Sequence, residues 1–371
     1  DNQFIESIVV TASAVSTSAF GGTGPSANFN LADLENAPAI NRDINDVIRA
    51  DPRVYIDESF NDAVQCAGAS PRYNSLTLDG VRMNDGFGLN SNGYPTTRMP
   101  FSYDAIEQVA VELAPFDVQY GGFTACNINA VTKSGTNEIH GSAFFDYTSD
   151  SLKGDSIEGD DIDNGEYTEK RYGVNVGFPL IQDTLFFFGS YEKVEGVQLY
   201  SYDALGSRVT QQEVDQITEI AQRVYNYDVG GMPGSAPVED EKILVKLDWN
   251  INDQHRASLM YNWNDGFSLS QSDSFSSGLS LSNHFYERGA EYTNTVVSVY
   301  SDWTDNFSTE LRIGQSELIN RQLLLDADSG FAEAQVRTAA GGTIYIGPDD
   351  SRQSNKLNYD IDTIKLAATY Y

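Results

Sequence analysis

The chain has 371 residues, 40% of them apolar, with 54 acidic against 23 basic side chains and a formal net charge of −31. Because the acid is spread along the chain rather than gathered in a tail, nucleic acid is excluded as a natural partner, and the lack of any run of about 18 apolar residues excludes transmembrane helices. A membrane β-barrel stays open, since its strands alternate, and 21 Tyr, 19 Phe and 31 Gly suit such a surface better than the aromatic-poor acidity of disorder.

Residues 3–13, QFIESIVVTAS, are a short β-prone run followed by Ser/Gly/Thr-rich sequence to Asn30, which reads as a flexible tether carrying one sticky segment. In LADLENAPAINRDINDVIRADPRV, Ile44, Val47 and Ile48 fall at helical spacing; with Asn41 as N-cap and Pro52 as a stop, one helix is expected at about 42–50. YNSLTLDGVRMND alternates Leu76, Leu78, Val81 and Met83 around Asp79-Gly80, the strongest short hairpin signal in the chain. DAIEQVAVELAPFDVQYGG then reads as a helical turn and a strand through Val109, Val111 and Leu113. Together these make a small α+β domain ending near Lys133. Cys66 and Cys126 are the only cysteines and no His clusters near them, so a single disulfide in an oxidising compartment is favoured over free thiols or a zinc site. The chain opens at Asp1 without a basic n-region or apolar h-region, so a signal peptide is expected to have been removed or to lie upstream.

Beyond Glu138 the texture is uniform. Segments of about ten residues alternate apolar and polar, among them Tyr172/Val174/Val176/Phe178, Ile243/Val245/Leu247/Trp249/Ile251 and Ala257/Leu259/Tyr261/Trp263. Lys246, Asp248, Ser258 and Asn262 occupy the intervening positions, giving one greasy and one wet face. Short links (PLIQDT, NDQHR, and the turn at Asp305-Asn306) alternate with long ones at about 150–167, 196–238, 265–290 and 319–357. Short turns on one side and long loops on the other mark an outer-membrane barrel with its short turns in the periplasm.

These residues resemble the TonB-dependent outer-membrane transporters, and within them an Oar-like subgroup. ESIVVTASA (Glu6–Ala14) looks like a TonB box, LTLDGVRMND like the central plug hairpin, and NINAVTKSGTNEIHGSAFFDY like the end of the plug running into the first barrel strand. NHFYERGAEYTN and YSDWTDNFSTELR look specifically Oar-like. The resemblance implies an α+β plug domain inside a transmembrane antiparallel β-barrel, about 22-stranded in the family, of which about eight strands are expected here. It divides the chain into a TonB-box tether (1–30), a plug (31–137) and the N-terminal part of the barrel (138–371), which reads as part of a longer chain because an open edge in lipid is costly. Where the family carries Gly-Gly this chain has Ala125-Cys126, and the Cys66–Cys126 bridge is the expected substitute.

The resemblance implies energy-coupled uptake across the Gram-negative outer membrane, with Glu6, Ile8, Val9, Val10 and Thr11 pairing with TonB of the TonB–ExbB–ExbD complex by β-augmentation. The hairpin apex and the loop 85–100 should then face outward under the extracellular vestibule. Arg82, Asn84, Asn90, Asn92, Tyr94 and Arg98 become candidate ligand contacts, and Lys133–Thr136 the hinge between plug and barrel. Lipid and lipopolysaccharide would surround the barrel, and an extracellular or lipoprotein partner could meet its loops. The transported ligand is unknown; because a strongly acidic vestibule would steer an anionic iron–siderophore complex poorly, peptides, cations or neutral glycans are slightly favoured. The alternative is an Oar-like surface protein acting in adhesion, protein export or extracellular complex assembly.

No cofactor is expected, although the loop 150–166, with seven carboxylates and one Lys, invites Ca²⁺ while failing the EF-hand pattern. In the loop 196–238, Thr210 and Glu213 form a capping box ahead of Val214, Ile217, Ala221 and Val224, so a helix over the barrel mouth is expected. His140, His255 and His284 lack metal spacing and no hydrolase or P-loop motif occurs, so no enzyme is expected.

Overall fold

The computed structural model describes residues 25–37, 41–58, 62–115, 120–161, 165–351 and 357–371. The first unit contains β1 (Ser26–Phe29), α1 (Leu31–Asn36), α2 (Asn45–Ile48), β2 (Val54–Asp57), β3 (Ala63–Cys66), β4 (Ser75–Leu78), β5 (Val81–Arg82), β6 (Ile106–Leu113) and β7 (Cys126–Thr132). Its main sheet runs β1-β6-β7-β4-β5, with β4 parallel to β7 and the other pairs antiparallel, while β2 and β3 form a separate hairpin. Asp79 and Gly80 both take positive φ, 47° and 78°, as a two-residue hairpin turn requires. Cys66 and Cys126 are disulfide-bonded, joining the end of β3 to the start of β7.

Two helix expectations change. The helix at 42–50 shrinks to α2 without a side-chain cap. Arg42 lies in the left-handed region at φ 49°, which breaks the helical path, and the Asn41 amide donates to the Asp46 carboxylate instead of Asn41 capping anything. An additional helix, α1, is capped by Asn30, whose Oδ1 accepts from the amides of Ala32 and Asp33 while its own amide donates to the Asp33 carboxylate.

The second unit begins with β8 (His140–Ser149), a small acidic hairpin of β9 (Ser156–Ile157) and β10 (Asp160–Asp161), then β11 (Thr168–Ile181) and β12 (Leu185–Leu199). After α3 (Gln211–Tyr225) come β13 (Ser235–Asn252), β14 (His255–Ser270), β15 (Gly278–Ser280), β16 (Tyr286–Thr304) and β17 (Phe307–Leu324). β18 (Ala334–Arg337), β19 (Thr343–Ile346) and β20 (Tyr359–Tyr370) complete it. Eight strands form one antiparallel meander in the order β8-β11-β12-β13-β14-β16-β17-β20, closing in tight turns at 182–184, 253–254 and 305–306.

Inward positions Lys242, Leu244, Lys246 and Asp248 of β13 are buried against the first unit, whereas Trp249 and Ile251 on the other face are exposed. Leu259, Tyr261, Val297 and Ile313 continue the exposed apolar band on neighbouring strands. Exposed aromatic and aliphatic groups at that density belong in lipid. Its loop-side border carries Tyr191, whose hydroxyl donates to Glu241 at 2.7 Å, and Trp263, whose Nε1–H donates to Glu291 at 2.9 Å, an aromatic girdle tied to outward carboxylates. The strands run further towards the long loops than expected, so the connections narrow to 200–234, 271–285 and 325–358. The ladder continues above the lipid with polar residues on its outer face, and the alternation that marks a membrane strand fades there.

Phe188, Leu244, Met260, Tyr292, Val296 and Leu318 of the wall join Ile44, Leu76, Leu78, Val109, Val111 and Ile128 of the first unit in one apolar core. Burying each such side chain contributes about 1.5–3 kcal/mol, so the first unit is packed into the barrel wall. A second, smaller core lies among the loops. There Val214 and Ala221 of α3 pack with Val229, Leu279, Leu281, Ile344 and Ile346, while Val224, expected on the same face, is exposed.

Candidate functional site

On the short-turn side, the hairpin tip meets the wall. The Asp79 carboxylate accepts from the Thr132 amide at 2.9 Å and from the Thr132 hydroxyl at 2.6 Å. Lys246 of β13, with 1% of its side chain exposed, donates to Thr132 Oγ1 at 2.9 Å and stands 3.5 Å from Asp79 Oδ2. A Cβ on Gly80 would fall 1.8 Å from an Arg312 guanidinium nitrogen and displace the tip of that side chain, and the φ of 78° itself favours glycine. Thus Asp79-Gly80 shapes more than a turn, and its apex faces the turn-side wall, contrary to the outward position expected for it. Chain direction explains this: β7 runs towards the start of β8 at the short-turn end, and β4, being parallel to β7, delivers its tip to the same end.

The link between the units is equally tight. A Cβ on Gly135 would sit 2.3 Å from the Phe187 carbonyl oxygen. Asn137 accepts from the Asp183 amide at 2.8 Å, fastening the link to the first short turn.

On the long-loop side the first unit and the wall part around a cavity of about 780 Å³. Asn92, Tyr94 and Arg98 line it, together with Arg42 and Asp43 before α2 and with Arg171, Glu192, Lys242 and Arg288 of the wall. Asn90 lies beside it, lining a smaller cavity of about 220 Å³ and accepting from Arg288 at 3.2 Å. Arg82 and Asn84 are not brought to either cavity. Arg82 donates to Asn84 Oδ1 at 2.8 Å, and Asn84 also accepts from the Leu76 amide at 3.0 Å and donates to the Asn74 carbonyl at 3.0 Å, which makes this pair a brace for the hairpin. Asn92 and Tyr94 shape the loop: Asn92 accepts from the Tyr94 amide at 3.0 Å, and the buried Tyr94 hydroxyl reaches Asn45.

The cavity collects cations that the sequence scatters. Six basic residues (Arg42, Arg98, Lys153, Arg171, Lys242, Arg288) and five acidic ones (Asp43, Asp62, Glu169, Glu192, Glu239) line it, in a chain of net charge −31. Arg171 pairs with Glu169 at 3.5 Å, and Lys242 with Asp240 at 3.1 Å and Glu192 at 3.4 Å. Glu192 also accepts from Ser102 at 2.7 Å, joining wall to plug-side loop. Arg42 pairs with Asp104 and lies over the Phe144 ring. Arg98, Arg288 and Lys153 enter none of the ion pairs among the described residues. Burial pushes the Asp43 carboxyl up to about 6, against the opposing pull of the Asn45 amide and Lys242. Sequence reading singled out Arg98 here but missed Arg288, Lys153 and Lys242, which stand alone in strands or loops and meet only through register.

The proposed TonB-contacting residues Glu6, Ile8, Val9, Val10 and Thr11 lie outside the described residues. In the acidic loop, the described residues of 150–166 form the β9–β10 hairpin and bring no three potential ligand atoms together.

The TonB-dependent Receptor Plug Domain model matches residues 5–126 and an Outer membrane beta barrel domain model matches residues 131–231. The chain is 26% identical over 223 residues to the TonB-dependent transporter Oar of Myxococcus xanthus, a match covering 55% of this chain and 19% of that protein. It is 29% identical over 230 residues to the probable TonB-dependent siderophore receptor PirA of Acinetobacter baumannii, covering 58% of this chain and 28% of that one. The fold resembles the outer membrane transporter YddB of Escherichia coli, with a TM-score of 0.66 at 12% identity over 94% of this chain and 46% of the other. The ferric enterobactin receptor PfeA of Pseudomonas aeruginosa gives 0.57 at 14% identity, again over 94% of this chain and 45% of that one. The chain therefore spans less than a third of the curated relatives and about half of these solved structures.

Proposed function

We propose that this chain, a TonB-dependent receptor carrying the plug and eight strands of an outer-membrane β-barrel, binds an anionic ligand above the plug and admits it when TonB displaces the plug. The location is the Gram-negative outer membrane, and the family is one of transporters and receptors. The observation that carries the ligand class is the cavity, where Arg98, Arg288 and Lys153 line the space without forming an ion pair among the described residues, Asp62 being the carboxylate that Arg98 feels. Overall acidity does not oppose this at contact, because charges beyond about 8 Å are screened at physiological ionic strength. A ferric siderophore chelate fits that charge, and the relative PirA is named a probable siderophore receptor. The expectation of peptides, cations or neutral glycans rested on poor steering of an anion by an acidic vestibule, whereas at the cavity itself six basic residues meet five acidic ones.

The way the plug is held supports energy coupling: it shares an apolar core with the wall and a buried Lys246–Asp79 contact at the turn end, away from the cavity. A strand-forming segment on a tether, residues 6–11, offers main-chain pairing as the grip. The adhesion or export alternative has no separate observation in its favour.

The ligand reading is tested by binding a panel of ferric catecholate and hydroxamate siderophores to the purified receptor, followed by fluorescence quenching. For the tightest ligand, Arg98→Ala and Arg288→Ala should each weaken binding by roughly 10- to 150-fold, the worth of a hydrogen bond to a charged group at about 1.5–3 kcal/mol. Unchanged affinity in both variants would sink the anionic reading.

A further inference from the structure

The loop layer contains a donor set that the uptake reading does not use. β15 pairs in parallel with β19, Gly278 opposite Thr343 and Ser280 opposite Tyr345, so the residues following each strand leave in the same direction. His284 and Asp349 are thereby brought together, and both are fully buried. Asp273, with its side chain 35% exposed, closes the group from the other end of the same loop as His284. One ligand atom from each of Asp273, His284 and Asp349 lies within 4.8 Å of the others.

The imidazole is held from both sides by oxygen. Its Nδ1 lies 2.8 Å from the Gly347 carbonyl oxygen, and its Nε2 lies 3.1 Å from Asp273 Oδ2. A neutral imidazole carries one N–H and can satisfy one of these oxygens, leaving a lone pair against the other. With Nδ1–H given to the Gly347 carbonyl, which is how metal-ligating histidines are commonly oriented, the Nε2 lone pair and a carboxylate oxygen point into the same space. Their 3.1 Å separation is close to the edge of about 3.3 Å that ligands bound at 2.0–2.1 Å make around a tetrahedral ion. Gly347 presents its carbonyl at φ +83°, and a Cβ there would sit 2.5 Å from the Ala332 carbonyl oxygen, so the backbone is built for this placement. Asp349 is braced in turn by the hydroxyls of Ser272 and Ser351.

We propose that Asp273, His284 and Asp349 bind a divalent first-row transition metal ion, zinc or a close relative, which pins the 271–285 loop to the 325–351 loop above the barrel mouth. Imidazole as a ligand selects this class over Ca²⁺, which takes oxygen alone. A fourth ligand would come from water, Asp273 being partly exposed, or from Glu333, which neighbours Asp349 and Asp350 in an adjoining donor group.

The test uses the full-length receptor in detergent, stripped with EDTA, dialysed, and titrated with Zn²⁺ against a chromophoric chelator at about pH 7.5. Wild type should bind Zn²⁺ at a site that Asp273→Asn and His284→Gln each weaken by more than about 100-fold, beyond the loss typical of an outer-shell change. Asp160→Asn in the acidic hairpin should leave it unaltered. Because His284 is buried and its variant could disturb the loops, X-ray absorption on zinc-loaded wild type gives a reading independent of any variant, with an N/O shell containing one imidazole expected. Zinc binding that survives Asp273→Asn, equal competition by Ca²⁺, or no saturable zinc at all would overturn the proposal.

Discussion

On the turn side of the barrel, Lys246 meets the plug almost wholly out of solvent, bonded to Thr132 and facing Asp79. On the loop side, Arg98, Arg288 and Lys153 border a cavity of about 780 Å³ and join no ion pair among the described residues. The same kinds of side chain thus serve opposite ends of one seam. At one end they are dry and hold the plug; at the other they line a cavity without ion pairs, where the proposed ligand would meet them. A buried charge without its partner is costly, whereas a solvated one costs little until something anionic displaces its water.

Breaking the dry end and the bridge within the plug should have the largest effects. Lys246→Met removes the ammonium facing the Asp79 carboxylate, which keeps its Thr132 bonds and the nearby Arg312 charge, and should destabilise the plug-in-barrel state by up to about 3 kcal/mol, read by chemical denaturation of the receptor. Adding Asp79→Asn should restore much of that loss; if the double variant is no more stable than the single, the two side chains are not coupled. Replacing Cys66 and Cys126 together by alanine tests holding within the plug rather than to the wall. The bridge closes a loop of sequence separation 60, so its loss should cost up to about 4 kcal/mol on the chain-entropy account, with the Lys246 contact kept.

The smallest effect belongs to the cavity end. Between the ordinary carboxylate value near 4 and about 6 the folded chain holds the Asp43 proton more tightly than the unfolded chain does. This group therefore favours folding most at low pH, and the contribution is lost as pH rises through about 6. The same rise adds a negative charge facing Lys242, Asp46 and Asp62 at the cavity, so anionic ligand affinity should fall by a few-fold between about pH 5 and 7. Binding measured across that range in Asp43→Asn should lose the slope.

What could be read from the sequence was whatever repeats locally. The two-residue period of β11 to β17 fixed which side chains meet lipid, and Asp79-Gly80 announced its own turn. The partners of Asp79 could not be read, because Thr132 and Lys246 lie far along the chain and meet it only through the parallel β4–β7 pairing and the docking of the plug. Nor could the cavity cations be read, each a single basic residue in a different segment. Arg82 and Asn84 were misplaced for the converse reason: they sit beside the hairpin in sequence, but hydrogen bonds to each other and to Asn74 turn them into its brace. His284 looked isolated because the strands that bring it to Asp349 are only three and four residues long and pair in parallel across two loops.

The proposed uptake rests on TonB moving the plug by way of residues 6–12. Deleting residues 6–12 of the receptor and following both ligand binding and energised uptake by cells tests this most directly. Binding should be unchanged and uptake lost; uptake at the wild-type rate would contradict the account.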